Sequence, residues 1–230
     1  MLNFLTENYV KDLRDFYDGI YVKCFPDPDE REEFSNILSY LEQGKKSSNY
    51  NYYIVISKDD TGNIVGGCIF NYFLDINSGV IEFIAVSPDK QSLGLGTKLY
   101  DSVVSTLQGD SQKYYQKPLD FIFCEIDSPE LSSDPIKKYL NFYRKNGYKH
   151  LNFNYIQPSL SSTQKPVNKL WIIMNPMGKE LNSINKDIVL SMLKDYFKYA
   201  MSIYIPECSK EYLQIFEELK DTEQIMLLDI

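Results

Sequence analysis

Residues 80–96 join an apolar strand to a glycine-containing turn that opens a helix. Gly94 and Gly96 are separated by one residue, which allows the backbone to take positive φ angles and several N–H groups to converge on one ligand. The helix expected over residues 97–107 adds its unpaired N–H groups and the positive end of its dipole at the same point. The segment therefore predicts a site for a phosphate-containing ligand.

Spacing excludes two common phosphate sites. A dinucleotide fingerprint needs a third glycine three residues after Gly96, where this chain has Leu99. A P-loop needs Gly-Lys followed by Ser or Thr, whereas Gly96 is followed by Thr97 and then Lys98. A plain strand-to-helix turn without a ligand stays open as the alternative.

Two motifs in this order resemble the GNAT superfamily of acyl-CoA-dependent N-acyltransferases. The first is the turn Gln91-x-x-Gly94-x-Gly96, which follows a strand ending in Ala-Val-Ser-Pro. The second is a helix that ends Phe-Tyr-x-x-x-Gly-Tyr at residues 142–148. The resemblance covers residues 8–176 and extends to a tail around residues 154–167 similar to a bacterial subgroup of the family.

The resemblance and the hydrophobic periodicity together predict an α/β (α+β) fold of the GNAT type. The expected sheet is mixed and mostly antiparallel, with a splayed parallel pair of central strands, at residues 80–86 and 119–126, flanked by helices. A helix over residues 29–41 is expected to precede a hairpin, and a strand over residues 167–174 is expected to close the sheet. Residues 1–177 would form the N-acyltransferase domain.

Residues 178–230 lie outside the family pattern and show helical spacing of apolar residues. They predict a C-terminal helical extension packed on the domain. A dimer contact or a lid over the acceptor site are the alternatives, and the chain could be a monomer or a homodimer.

Composition limits the class of partner. The net charge of −8 argues against a general nucleic-acid or anionic-membrane surface, because such surfaces depend on basic patches. The four cysteines form no Cys-x-x-Cys pair and His150 is the only histidine, so no metal site is expected. Cys68 and Cys124 fit buried small hydrophobes, and His150 looks solvent-facing. No signal peptide or membrane span is evident, and we expect a cytoplasmic protein.

The resemblance implies the residues that would bind acetyl-CoA as co-substrate. The pantetheine arm would pair with the exposed backbone of the strand end, at Ile84, Ala85 and Val86. The pyrophosphate would lie on the turn and first helical residues, which are Gln91, Ser92, Leu93, Gly94, Leu95, Gly96 and Thr97. Gln91 replaces the arginine that is more usual in the family, and Leu93 occupies a site that is often basic or glycine. Side-chain charge around the pyrophosphate is therefore reduced.

Three residues are expected to carry the chemistry. Glu82 is the only charged residue in a strand that is otherwise apolar on both faces, and burial should raise its pKa. Its alternative is a solvated sheet edge or a lysine pair. Glu125 is the only charged residue between Phe121 and Ile126 on the parallel partner strand. If the two strands splay, Glu82 and Glu125 could flank one cleft and act directly, through water, or only by binding a cation. Tyr143 is at the family position for the phenol that protonates the leaving thiolate, and core packing is its alternative.

The predicted function is the transfer of an acetyl group from acetyl-CoA to a primary amine of a small molecule or peptide by direct attack. A non-catalytic acyl-CoA-binding sensor or interaction module of the same fold is the alternative, and transfer of a longer acyl group is a third possibility. The acceptor is not identified by the sequence.

Overall fold

The computed structural model describes residues 2–4, 9–129, 134–203 and 205–230, which divide into two compact units. The first unit comprises residues 1–75 and 81–118, and the second comprises residues 76–80 and 119–230. Helical spacing of apolar residues also predicts a first helix that begins at Thr6 and Glu7, and these two residues lie outside the described residues.

The first unit begins with strand β1 (Leu2–Phe4) and the helical segment α1 (Tyr9–Phe16), which continues through a π-helical turn (Tyr17–Tyr21) into α2 (Val22–Cys24). Helix α3 (Phe34–Gly44) follows, then β2 (Tyr50–Lys58), β3 (Ile64–Phe73), β4 (Ser78–Val86) and helix α4 (Leu95–Tyr115). The strands are neighbours in the order β1-β2-β3-β4, and β2 pairs antiparallel with both β1 and β3. The predicted hairpin is confirmed.

The predicted helix over residues 29–41 is wrong at its start. Pro28–Glu30 form a 3-10 turn, after which Arg31 and Glu33 have extended backbone angles, and α3 begins only at Phe34. Pro28 favours a tight turn here, because its fixed φ suits the first position of a short helix. Glu32 therefore lies in an extended segment and not in a helix.

The second unit contains β5 (Phe121–Asp127), α5 (Asp134–Lys145), β6 (Lys149–Leu151), β7 (Leu170–Asn175), β8 (Ser183–Asn185), α6 (Lys186–Ala200), α7 (Lys210–Leu219) and β9 (Gln224–Asp229). Its strands are neighbours in the order β5-β7-β6-β9-β8, and their pairings are antiparallel. The predicted fold class, a mixed α/β fold with a mostly antiparallel sheet, is confirmed.

Residues 178–230 contain the two expected helices and also two strands that the sequence analysis missed. The prediction that residues 167–174 close the sheet is wrong, because β7 is an inner strand between β5 and β6, and β9 pairs with β6 beyond it. The C-terminal segment joins the sheet as β9 because Ile225 and Leu227 face the interior while the residues that alternate with them face outward. An alternation over six residues is a much weaker sequence signal for a strand than the longer helical pattern before it is for helices.

None of the helices in the described ranges combines the length and apolarity needed to cross a bilayer.

Candidate active site

The turn before α4 has the geometry of an anion-binding helix start. Gly94 caps α4 with a φ of 80°, and no side chain caps the first turn. A Cβ added at Gly94 would meet nothing within 4 Å, so the space beside the turn is open. The first N–H groups of a helix have no partner within the helix, and the dipole makes this end positive. The residues present therefore fit a phosphate group.

The backbone at the turn differs from the sequence expectation in one respect. Gly96 lies within α4 and does not adopt a positive φ, whereas Ser92, a residue with a side chain, has a φ of 64°. The turn therefore needs two left-handed residues, Ser92 and Gly94, two positions apart. A Cβ at Gly96 would approach Val86 Cγ2 at 4.0 Å, which is ordinary van der Waals contact.

The end of β4 is tied to the turn by a side chain. Gln91 Nε2 donates a hydrogen bond to the carbonyl of Val86 at 3.3 Å. Ile84 and Val86 are half-buried, while Ala85 is buried. An arginine at position 91 would add a positive charge to the turn, whereas the Gln91 amide holds the turn against the end of β4 by this hydrogen bond.

Glu82 is buried on β4, with 7% of its surface exposed. Its carboxylate accepts hydrogen bonds from Tyr52 Oη at 3.3 Å and from Asn71 Nδ2. Tyr52 and Asn71 are directly opposite each other in the β2–β3 ladder, so both side chains project from the same face of the sheet. The alternative of a solvated sheet edge is excluded by this burial.

Asn71 carries an acceptor that has no donor. Asn71 is fully buried, and its Oδ1 atom has no hydrogen-bond partner among the described residues. Buried amide oxygens are rarely left without a donor, because the loss costs about 1 to 3 kcal/mol. An N–H or O–H donor placed beside the Asn71 amide and the Glu82 carboxylate would satisfy both.

Glu32 is a second buried carboxylate of this unit, and the sequence analysis missed it. It is 2% exposed, and burial raises its pKa to about 7 despite hydrogen bonds to the carboxylate. Tyr40 Oη donates to Glu32 Oε2 at 3.3 Å, and Asn36 Nδ2 donates to Oε1 at 2.7 Å. No local sequence signal marks Glu32, because its surroundings include Tyr21 and Tyr40 from other parts of the chain.

Glu125 has a different setting in the second unit. Its carboxylate accepts hydrogen bonds from Tyr155 Oη and from Tyr196 Oη, the latter at 3.0 Å. Tyr196 belongs to α6, so the C-terminal extension supplies one of the two phenols. Glu125 is partly exposed on β5. The structure thus describes Glu82 and Glu125 in separate units, and their common cleft stays a prediction.

Tyr143 lies near the end of α5 and is 6% exposed. Its ring packs edge-on against Tyr148, with centroids 5.1 Å apart. Burial raises the pKa of the Cys124 thiol well above its ordinary value, although hydrogen bonds with Tyr143 and Tyr148 lower it. Tyr143 and Cys124 are therefore neighbours in the interior of the second unit.

Cys68, Cys124 and His150 are all buried. Cys68 and Cys124 are buried, as expected, and neither is in a disulfide. The expectation that His150 faces solvent is wrong: it is 8% exposed and stacks on Trp171 with centroids 3.9 Å apart. The indole covers the imidazole face, which the local sequence does not show. Within the part of the chain that the structure describes, no group of three His, Cys, Asp or Glu residues is arranged to hold a metal ion.

Comparison with known proteins identifies the domain. Residues 10–121 match the model of the acetyltransferase (GNAT) family, a range that includes β4, the glycine turn and α4. Residues 10–121 are therefore similar to a GNAT acetyltransferase domain. The proteins that this family model describes are acetyltransferases. Sequence comparison with curated proteins finds no match.

Solved structures support the fold. A GNAT-family acetyltransferase from Bacteroides thetaiotaomicron, described as putative, has a TM-score of 0.56 at 17% identity, covering 89% of this chain and 96% of that protein. A ribosomal-protein-alanine N-acetyltransferase from Brucella melitensis has a TM-score of 0.53 at 12% identity, with coverages of 77% and 99%. A phosphinothricin acetyltransferase from Sinorhizobium meliloti, in complex with acetyl-CoA, has a TM-score of 0.51 at 14% identity, with coverages of 77% and 88%.

Proposed function

We propose that this chain transfers an acetyl group from acetyl-CoA to a primary amine of a small molecule or peptide. The observation that carries the proposal is the buried Glu82 carboxylate beside the unsatisfied Asn71 Oδ1, on the strand that leads into the glycine turn. An ammonium group or a water that relays its proton has the donors that these two acceptors need.

The glycine turn before α4 is the proposed binding site for the acyl donor. The amides at the start of α4, from Gly94 to Thr97, would bind the pyrophosphate, with Gln91, Ser92 and Leu93 forming the preceding turn. The backbone of Ile84, Ala85 and Val86 would pair with the pantetheine arm. Acetyl-CoA would provide the acyl group as a thioester. These assignments rest on the open, uncapped helix start and on the acetyl-CoA complex of the S. meliloti relative.

The acceptor half depends on proton removal. An alkyl amine with a pKa near 10 is neutral in only about one molecule per thousand at pH 7, a penalty of roughly 4 kcal/mol. Glu82 would accept the ammonium proton, directly or through water, with Asn71 and Tyr52 fixing its carboxylate. The free amine then forms the C–N bond at the thioester carbonyl while the C–S bond breaks.

Two further residues complete the proposal. Tyr143 would give its phenol proton to the leaving thiolate, with the rival role of packing against Cys124. Glu125 is the second candidate base, held by Tyr155 and Tyr196. We also propose that residues 1–177 are the acetyltransferase domain and that residues 178–230 form an extension whose helix α6 orients Glu125.

The alternative is a module that binds acyl-CoA and does not catalyse transfer of the acyl group. An amine panel assayed for thiol release separates the two, with Glu82→Gln and Glu125→Gln tested beside the wild type. We expect turnover with at least one amine and a fall of about 10² to 10⁴-fold in Glu82→Gln, the usual contribution of a general base. Acetyl-CoA binding without thiol release for every amine would favour the binding module.

Asp127→Asn is a matched control for Glu125→Gln. It removes a carboxylate from the same strand, where Asp127 accepts a hydrogen bond from Tyr139 at 2.8 Å. A loss of turnover confined to the Glu125 variant would assign chemistry to that residue, whereas equal losses would indicate a general effect on β5.

A further inference from the structure

Two buried carboxylates of the first unit contact neighbouring tyrosines. Tyr40 Oη donates to Glu32 and Tyr52 Oη donates to Glu82, each at 3.3 Å. The ring centroids of the two tyrosines are 6.0 Å apart. Burial raises the pKa of Tyr52 well above its ordinary value, and the charges of Glu82 and then Glu32 raise it further. Both carboxylates therefore act on the same phenol.

Glu32 is held in place by its own backbone and by neighbours. Its N–H donates to Tyr21 Oη at 2.8 Å, and its carbonyl accepts from Tyr17 Oη at 3.0 Å. Glu32 Oε1 accepts the N–H of Glu33 at 2.8 Å in addition to Asn36. The position of the Glu32 charge is consequently fixed by the fold, and the residue has little surface for direct contact with a substrate.

We propose that Glu32 is a positioning residue that sets the proton affinity of Glu82 across the Tyr40–Tyr52 pair. The proposal deepens the function proposed above, because it assigns the group that adjusts the strength of the proposed base. Two like charges in surroundings of low dielectric repel each other, so an ionised Glu32 makes Glu82 hold a proton more strongly.

The surrounding titratable groups define how the pair behaves. Tyr17 and Tyr21 face Glu32 from the first helical segment, and Arg31 acts on Tyr17, while Glu33 adds a carboxylate on the solvent side. Tyr21 also feels the charge of Glu82.

The sign of the coupling follows from the two protonation states of Glu32. A neutral Glu32 exerts no repulsion, and an ionised Glu32 raises the pKa of Glu82. Because burial brings the pKa of Glu32 to about 7, the repulsion develops as the pH rises through neutrality. The two groups then titrate as a coupled pair. Glu82 becomes a stronger base in the pH range where amine acceptors are still protonated.

Carbon-13 NMR of glutamate side-chain carboxyls tests the coupling on the full chain without a substrate. Glu82→Gln assigns the Glu82 signal, and Glu32→Gln then removes only the neighbouring charge. We expect the pKa of Glu82 to fall in Glu32→Gln, because the neighbouring like charge is lost. Glu33→Gln is the matched control: the same charge is removed one residue away at an exposed position, and we expect a shift below about 0.2 unit.

The wild-type titration provides a second measurement that needs no folded variant at position 32. The Glu82 signal should show an inflection at the pH where Glu32 titrates. Tyr52→Phe should move the pKa of Glu82 upward, because the charged form loses a hydrogen bond. A Glu82 titration with one inflection, and the same pKa in the wild type and Glu32→Gln, overturns the proposal.

Kinetics distinguish this proposal from the proposed function. With an amine that is turned over in the panel, the acid limb of kcat/KM should move in Glu32→Gln by the same shift as the Glu82 signal. An acid limb that stays in place while the Glu82 signal moves overturns the role of Glu32 in turnover. Absence of turnover with every amine refutes the proposed function, while the NMR titration still decides the coupling.

Discussion

The raised pKa of Glu32 makes a quantitative prediction about stability. The pKa of Glu32 is about 7 in the folded chain against 4.5 for an ordinary glutamate, so the folded and unfolded pKa values differ by about 2.5. At 1.36 kcal/mol per unit, the difference amounts to about 3 kcal/mol of folding free energy. A folded pKa above the unfolded value stabilises the fold below pH 4.5, and this contribution is lost as the pH rises through 7.

Glu32→Gln removes that pH dependence and keeps an acceptor for the Glu33 N–H. Between pH 5 and pH 8, integration of the two titration curves gives a change of about 2.5 kcal/mol in the wild type from this residue alone. The free energy of unfolding of Glu32→Gln should therefore rise relative to the wild type by that amount across the interval. Urea denaturation at each pH, followed by far-ultraviolet circular dichroism, measures it.

Other groups titrate in the same interval, so the difference between variant and wild type is the decisive quantity. Glu33→Gln is the control, and its difference from the wild type should stay constant within about 0.5 kcal/mol because its side chain is exposed. A Glu32→Gln difference that is equally constant from pH 5 to pH 8 would refute the reasoning, since it would mean that Glu32 titrates normally in the folded chain.

Three further predictions concern the turn, the extension and the histidine. Gly94→Glu should abolish acetyl-CoA binding in calorimetry, because it places a carboxylate beside the amides of α4; Gly62→Glu has a similar φ of 87° and open surroundings in the β2–β3 hairpin, and should bind normally. Unchanged affinity in Gly94→Glu would refute the pyrophosphate assignment. Tyr196→Phe should lose about 1 to 2 kcal/mol of stability in urea, since Glu125 loses a phenol donor; a change below about 0.3 kcal/mol would count against that contact. Burial lowers the pKa of His150 to about 4, so its stabilising effect is present above pH 6.5 and lost as the pH falls through 4; His150→Phe should remove this acid sensitivity, and an unaltered pH dependence would contradict the burial effect.

The sequence was most informative where local geometry and chemistry coincide. Gly94 needs a left-handed φ, and the adjoining apolar strand and helix are strong patterns, so the turn could be predicted from neighbouring residues alone. The same holds for the β2–β3 hairpin. The family model over residues 10–121 then confirmed the resemblance that these motifs carried.

The sequence was least informative where distant segments meet. Glu82 could be singled out as a lone carboxylate in an apolar strand, but Tyr52 and Asn71 reach it only because the β2–β3 register places them opposite each other. Glu32 could not be found, because its burial and its contacts depend on Tyr17, Tyr21 and Tyr40, which come from other segments of the chain.

By itself, the sequence carried the resemblance to the GNAT family and predicted the glycine turn before α4, because both depend on short-range backbone requirements that particular residues satisfy. The tertiary structure decided which carboxylates are buried and what holds them. It also decided that the C-terminal segment adds β9 beside β6 and a phenol to Glu125. Burial and proton affinity are properties of everything that packs around a group, and those neighbours come from segments far apart in the chain.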